Sequence, residues 1–157
     1  MIEMERRLEA GREYLVALRK LGFNPEALLW AGVGAEAADG AMELLIVTTW
    51  TDNVGPKAIY DLLFEAYDAS ATPKEIDPFT VTLFSPRTQV AIDLNGAMRT
   101  IREKLRGPDN HPMIVLGMLD YYTIPDWIIS YRRSKTSSFD DVRRFTAFQS
   151  NVAKLAA

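Results

Sequence analysis

The chain contains no cysteine, and its single histidine is His111. The absence of cysteine excludes disulfides, thiolate metal sites and a cysteine nucleophile. A lone histidine also excludes a metal site or a proton relay built on a histidine pair. No apolar run approaches the ~20 residues of a membrane span, and the first residues lack the basic-then-apolar layout of a signal peptide. We therefore expect a cytoplasmic protein with no metal, no cofactor and no membrane partner.

Length and charge indicate a single globular domain over residues 1–157. A chain of this length buries roughly 70% of the surface that it exposes when unfolded. The net charge of −3 argues against a dedicated nucleic-acid binder. Residues 1–85 carry seven Lys and Arg against fourteen Asp and Glu, whereas residues 86–157 carry eleven against seven. This asymmetry is compatible with head-to-tail self-association or with an anionic partner for the C-terminal half, and equally with helix faces that differ in charge by chance.

The stretch Ala41–Trp50 is the centre of the predicted fold. Its run Leu44–Val47 is short, apolar and uninterrupted, which is typical of a strand buried on both faces. A second strand, Leu28–Val33, is expected to pair with it through a connection containing Asp39-Gly40, a hairpin turn signal. The segment Phe79–Phe84 alternates between apolar and polar residues and predicts a third strand.

Helical spacing of apolar residues predicts helices at both ends and in the middle of the chain. Residues 3–21 form an amphipathic pattern that Gly22 is suited to end. A second helix is expected from Pro56, a favoured first helical residue, to about Ser70. A C-terminal helix is expected over residues 138–156, with Phe139, Val142, Phe145, Phe148, Val152 and Leu155 on its buried side.

The remaining segments complete a mixed sheet. Residues 85–106 predict one long helix, or alternatively a hairpin strand followed by a short helix. Met113–Leu119 and Trp127–Arg133 predict an antiparallel strand pair that turns at Tyr121–Asp126. The expected fold is therefore α+β (or α/β), with a single mixed sheet of about five strands covered by about four helices in the order α-β-β-α-β-α-β-β-α.

The loop after the central strand is the first candidate ligand site, with Thr51, Asp52, Asn53 and Lys57 as its residues. A helix that begins at Pro56 would direct free backbone N–H groups and its positive dipole end toward this loop. Lys57 adds a positive charge, and Asp52 offers a base. The simpler interpretation is that Asp52 or Asn53 caps the helix or stabilises the turn.

His111 precedes a predicted strand on a loop, a place where catalytic residues are often found. Together with the loop of Asp52 and Lys57, it would suit a small enzyme that acts on an anionic or phosphorylated small molecule. An exposed histidine without a role is the simpler interpretation, because the sequence supplies no nucleophile or orienting partner for it.

The stretch Gly32–Ala37 matches the dinucleotide pattern G-x-G-x-x-A, and Asp52 follows twenty residues after Gly32. That motif requires a helix that crosses back over the sheet. Only about seven residues separate Gly34 from the next strand, and they include a turn signal. We therefore interpret the glycines as part of a hairpin connection and expect no bound nucleotide.

The segment Tyr131–Lys135 combines aromatic and basic side chains, as surfaces that bind single-stranded nucleic acid do. Its candidate residues are Tyr131, Arg132, Arg133 and Lys135. The alternative is a solvated strand end, which the acidic charge of the whole chain favours.

No enzyme signature stands out in the sequence, whereas packing faces, aromatics and a charge dipole do. The first hypothesis is therefore a small binding or interaction module that self-associates into a homo-oligomer. The enzyme at the Thr51–Lys57 loop and the nucleic-acid binder at Tyr131–Lys135 are the alternatives.

Overall fold

A computed structural model describes residues 2–33, 42–88, 118–119, 122–123 and 140–156 of the chain. The helices in these ranges are α1 (Ile2–Leu21), α2 (Trp50–Asn53), α3 (Pro56–Asp68) and α4 (Asp141–Ala153). The strands are β1 (Ala27–Val33), β2 (Met42–Val47), β3 (Val81–Phe84), β4 (Met118–Leu119) and β5 (Tyr122–Thr123). Short 3-10 turns cover Pro78–Thr80 and Lys154–Ala156.

The strands form a mixed sheet in the order β3-β2-β1-β5-β4. β1 and β2 pair antiparallel, with Ala27 opposite Val47 and Gly32 opposite Met42. β2 and β3 pair parallel, which makes β2 an interior strand. The antiparallel pairing of β1 and β2 supports the hairpin interpretation of the glycine motif, because the dinucleotide fold joins parallel strands. The general α+β class is thereby confirmed.

The predicted number of about five strands is wrong for the described residues, which contain three strands of ordinary length. Only β1, β2 and β3 are longer than two residues, whereas β4 and β5 have two residues each. Tyr122–Thr123 pairs with both Met118–Leu119 and β1, so these two residues form a strand and not part of the turn predicted at Tyr121–Asp126. The other residues of that turn lie outside the described ranges. Tyr and Thr favour strands, which agrees with their place in β5. The predicted strand Trp127–Arg133 lies outside the described residues.

The segment that follows β3 begins with a turn. Thr88 N donates to Ser85 O at 3.1 Å, and residues 85–88 are not helical. The helix predicted to start at Ser85 is therefore absent from residues 85–88. Residues 89–106, which carry most of the predicted helix or its hairpin alternative, lie outside the described ranges.

Side chains of the sheet's front face and of α1, α3 and α4 form one apolar core. From the strands it includes Leu28, Trp30, Leu44, Ile46 and Val81, and from the helices Tyr14, Leu18, Ile59, Leu63, Phe145 and Phe148. The opposite face of β1 and β2 is buried too, through Ala27, Leu29, Ala31, Leu45 and Val47. β2 is thus buried on both faces, as its apolar run predicted.

Gly22 ends α1 with a positive φ of 101°. This backbone conformation is the one that glycine adopts at helix C-termini without steric cost. Asn151 Nδ2 of α4 then donates to Leu21 O at 2.8 Å, which ties the C-terminal helix to the end of α1. Among the helices that the structure describes, none has the length and apolar character needed to cross a bilayer.

Candidate functional site

Two adjacent strand ends meet beside the predicted ligand loop. Because β2 and β3 are parallel, their carboxyl ends lie at the same edge of the sheet, where open α/β sheets bind ligands. Thr48 N donates to Phe84 O at 2.9 Å and so extends the pairing by one residue. Ser85 Oγ donates to Asp52 Oδ2 at 2.8 Å and joins the segment after β3 to the segment after β2.

The predicted loop is partly helical. Thr51, Asp52 and Asn53 lie in α2, a single helical turn that starts at the buried residue Trp50. The Trp50 ring stacks on Phe23, with centroids 4.4 Å apart and the planes inclined by 14°. Burial of this ring fixes the chain direction at the end of β2. Locally, Thr48 Oγ1 accepts from Trp50 N at 3.1 Å and also supports the turn. Lys57 lies in the first turn of α3, which begins at Pro56 as predicted.

The capping role considered for Asp52 and Asn53 is wrong. The residue before α3 is Gly55, whose φ of 87° suits glycine, and no described side chain caps the helix. Asn53 Nδ2 donates instead to Thr49 O at 3.1 Å and to Asp141 Oδ2 at 2.8 Å. Asp52, bonded to Ser85, and Asn53, bonded to Asp141, therefore hold α2 against the segment after β3 and against α4.

Lys57 is engaged on the helix surface. Its Nζ lies 3.2 Å from Asp61 Oδ2 one turn further along α3, and both side chains are largely exposed. Such a pair between exposed residues four positions apart stabilises a helix by roughly 0.3–0.5 kcal/mol. We call the five side chains that hydrogen bonds join around α2 the strand-end cluster, namely Thr49, Asp52, Asn53, Ser85 and Asp141. Its two charged members are the carboxylates of Asp52 and Asp141.

Asp141, at the start of α4, is a buried member of this cluster that the sequence analysis missed. Its Oδ2 accepts hydrogen bonds from Thr49 Oγ1 and Asn53 Nδ2, and so links α4 to α2. Its Oδ1 is buried and has no hydrogen-bond partner among the described residues. Such a buried carboxylate is stable only when other groups compensate its charge, and here neutral donors supply part of that compensation.

Helical spacing explains the position of Asp141. It lies four and seven residues before Phe145 and Phe148, which are buried on the same side of α4. The predicted buried stripe included Val142 instead, but Val142 is 57% exposed. A search for polar residues in phase with the phenylalanines would have identified Asp141 from the sequence.

Several predicted site residues are not described. His111 lies outside the described residues, as do the nucleic-acid candidates Tyr131, Arg132, Arg133 and Lys135. Within the described ranges, no group of three or more His, Cys, Asp and Glu side chains is arranged to hold a metal ion.

A second candidate site is a surface groove of about 460 Å³ beside α1. The apolar side chains that line it are Val16, Ala17, Leu21, Ala71 and Leu155. The charged side chains at its margin are Glu9, Arg12, Glu13 and Lys20. Val16 is 57% exposed and Leu155 38%, so the groove presents uncovered apolar surface.

The comparisons with other proteins supply no function. No family model, curated protein or solved structure matches the chain. The candidate sites therefore stand on their geometry and chemistry.

Asp52→Ala is expected to reduce the free energy of unfolding by about 1 kcal/mol or less, because it removes one exposed hydrogen bond to Ser85. Urea melts of Asp52→Ala, Ser85→Ala and the double variant measure the coupling between the two side chains. The double variant should lose no more free energy of unfolding than the more destabilised of the two single variants. A gain of stability in Asp52→Ala would contradict the structural role of the Asp52–Ser85 hydrogen bond. It would instead indicate a functional site that is kept at the expense of stability.

Proposed function

We propose that the protein is a small binding module that self-associates through the groove beside α1. The observation that carries this proposal is the apolar surface of Val16 and Leu155, large side chains that are left uncovered at a concave site. Apolar surface concentrated between polar margins is typical of protein-binding sites.

The charges of α1 favour a second copy of the chain as the occupant. Glu13 lies three residues before Val16 and Lys20 four residues after it, which is roughly 4.5 Å and 6 Å along the helix axis. In a two-fold antiparallel pair of α1 helices centred on Val16, Glu13 of each copy therefore lies next to Lys20 of the other. Arg12 would also approach this lysine, but its positive charge is offset by Glu9, whose Oε2 lies 4.0 Å from Arg12 Nη1.

Val16→Asp is expected to convert a dimer into a monomer, because a desolvated carboxylate opposes closure of the apolar interface. Sedimentation velocity over a concentration series measures the association. Val142→Asp is the matched control, since Val142 is equally exposed at 57% but lies on α4, outside the groove. A monomeric wild type, or equal loss of association in both variants, would contradict the proposal.

A charge exchange separates self-association from binding of another protein. Lys20→Glu alone and Glu13→Lys alone should each weaken the dimer, because each creates like-charge pairs across the two-fold axis. The double variant restores opposite charges at the same positions and should recover the association. If it does not, the groove binds a different partner or a different part of the chain.

A small enzyme at the strand-end cluster is the second candidate function. It is supported by the position of the cluster at the carboxyl ends of two adjacent parallel strands. The charged groups there, Asp52 and Asp141, would repel an anionic substrate, so Lys57 would have to supply the attraction. Inorganic phosphate that raises the melting temperature of wild type but not of Lys57→Ala would favour this function over the first.

A further inference from the structure

A second exposed apolar feature lies far along the chain from α1, on the 3-10 turn before β3. Phe79 is 84% exposed, the largest exposed fraction among the exposed large apolar side chains of the described residues. Its ring contacts Phe64 of α3 edge-on, with centroids 4.8 Å apart and an interplanar angle of 65°. Asp61 and Asp68 lie three residues before and four residues after Phe64, on the same face of α3, and Glu65 follows Phe64 directly. We call the two rings with these three carboxylates the Phe79 patch.

The exposed ring is held in place by local structure. Phe79 N donates to Asp77 Oδ1 at 2.9 Å, and Thr80 N donates to Asp77 O at 2.8 Å. Pro78, the first residue of the turn, is buried and fixes the turn against the protein. An aromatic side chain that is already ordered loses little conformational entropy when a partner covers it, as in binding hot spots.

Strand addition at the neighbouring edge is blocked. The pairing of β3 with β2 leaves the backbone groups of Val81 and Leu83 directed to the outer edge. There Tyr60 Oη donates to Val81 O at 2.6 Å and accepts from Leu83 N at 3.3 Å. Because the Tyr60 phenol engages Val81 O and Leu83 N, neither group is open to an added strand, and we expect a partner to bind through side chains.

The charge around the patch is acidic. Residues 56–80 contain two lysines against five Asp and Glu, which gives −3. Lys57 pairs with Asp61, and Lys74 donates to Tyr67 O at 2.8 Å while lying 4.4 Å from the Tyr67 ring centroid. Both lysines are thus engaged within the chain, so the patch attracts cations and repels phosphate-bearing partners.

We infer that the Phe79 patch is a docking surface for a basic polypeptide segment that carries one apolar or aromatic anchor side chain. The anchor packs on Phe79 and Phe64, and Lys or Arg side chains on either side pair with Glu65 and Asp68 at the rim. An arginine above the exposed Phe79 ring would add a cation–π contact. This surface is independent of the groove beside α1 and does not rest on self-association.

Fluorescence polarisation with labelled nonapeptides tests this inference. The probes carry Lys and Arg on both sides of a central Trp, with a central-Ser version and an acidic version as comparisons. The Trp peptide should bind wild type most tightly and weaken as salt is raised. Phe79→Ser should weaken it about tenfold, as loss of a hot spot does.

Val142→Ser is the matched control for loss of an exposed apolar side chain, and it should bind the Trp peptide as wild type does. Glu65→Lys with Asp68→Lys tests the rim and should abolish the preference for basic over acidic peptides. Unchanged melting temperatures would show that all variants are folded. Equal binding by Phe79→Ser and wild type, or equal binding of the Ser and Trp peptides, would overturn the inference.

Discussion

Trp50→Ala is expected to lower the free energy of unfolding by about 3–5 kcal/mol, the range for loss of a large buried aromatic side chain. The Trp50 ring stacks on Phe23 at 4.4 Å and meets Phe145 edge-on at 5.5 Å, with the planes at 89°. A third ring, Phe148, lies 5.6 Å away. The substitution therefore removes three aromatic contacts and leaves a cavity between Phe23 and the phenylalanine rings of α4.

A urea melt monitored by circular dichroism measures this loss, because its signal does not depend on the tryptophan removed. Phe79→Ala is the control for deletion of an aromatic side chain, and it should change the free energy of unfolding by less than about 0.5 kcal/mol since Phe79 is exposed. A loss below about 1 kcal/mol in Trp50→Ala would mean that the aromatic cluster does not hold α2 and α4 together.

The outcome for Trp50 bears directly on the strand-end cluster. α2 has only four residues, too few to form a helix that is stable by itself. Its geometry depends on Trp50 in the core and on the hydrogen bonds of Thr49 and Asn53 to Asp141. The Trp50 ring and the hydrogen bonds to Asp141 and Ser85 restrain this cluster, which suits a structural junction as well as a preorganised ligand site.

The central part of the fold could be predicted because its signals are local. The run Leu44–Val47 is buried on both faces and lies between two other strands, as an uninterrupted apolar segment indicates. Pro56 marks the first residue of α3, and Gly22 ends α1. These assignments follow from backbone preferences and side-chain spacing alone.

The candidate site could be predicted only in part, because its geometry depends on contacts distant in sequence. Asp52 meets Ser85 across 33 positions, and Asn53 meets Asp141 across 88. No local pattern encodes these pairs. The Phe79 patch was missed for a related reason: alternation placed Phe79 inside a strand, whereas the 3-10 turn directs it into solvent.

Tyr14→Phe is expected to raise the free energy of unfolding by about 1–3 kcal/mol at neutral pH. The Tyr14 ring is fully buried in the core, and its hydroxyl has no hydrogen-bond partner among the described residues. Folding therefore removes the hydroxyl from water without compensation, a cost of about 1–3 kcal/mol that phenylalanine avoids. Because phenylalanine fills the same volume apart from one oxygen, no cavity of significant size offsets the gain.

The advantage of Tyr14→Phe should grow at alkaline pH. Burial raises the pKa of Tyr14 well above its usual value, and the nearby Tyr60 phenol raises it further. Because the pKa is higher in the folded state, the protonated phenol makes its full contribution to stability below the unfolded pKa, about 10. That contribution is lost as the pH rises through the folded pKa. Above pH 10, the wild type should therefore lose stability relative to Tyr14→Phe with each further pH unit.

Tyr60→Phe provides the matched comparison, because burial also raises the pKa of Tyr60 but its hydroxyl is bonded to Val81 O and Leu83 N. Urea melts at pH 7, 10 and 11 should show Tyr14→Phe more stable than wild type and Tyr60→Phe less stable at pH 7. Both variants should lose less stability than wild type between pH 10 and 11. A Tyr14→Phe variant that is less stable than wild type at pH 7 would mean that the Tyr14 hydroxyl has a hydrogen-bond partner. Equal losses of stability between pH 10 and 11 in all three proteins would mean that neither phenol resists ionisation. The two substitutions thus separate a hydroxyl that only costs stability from one that holds the outer edge of β3.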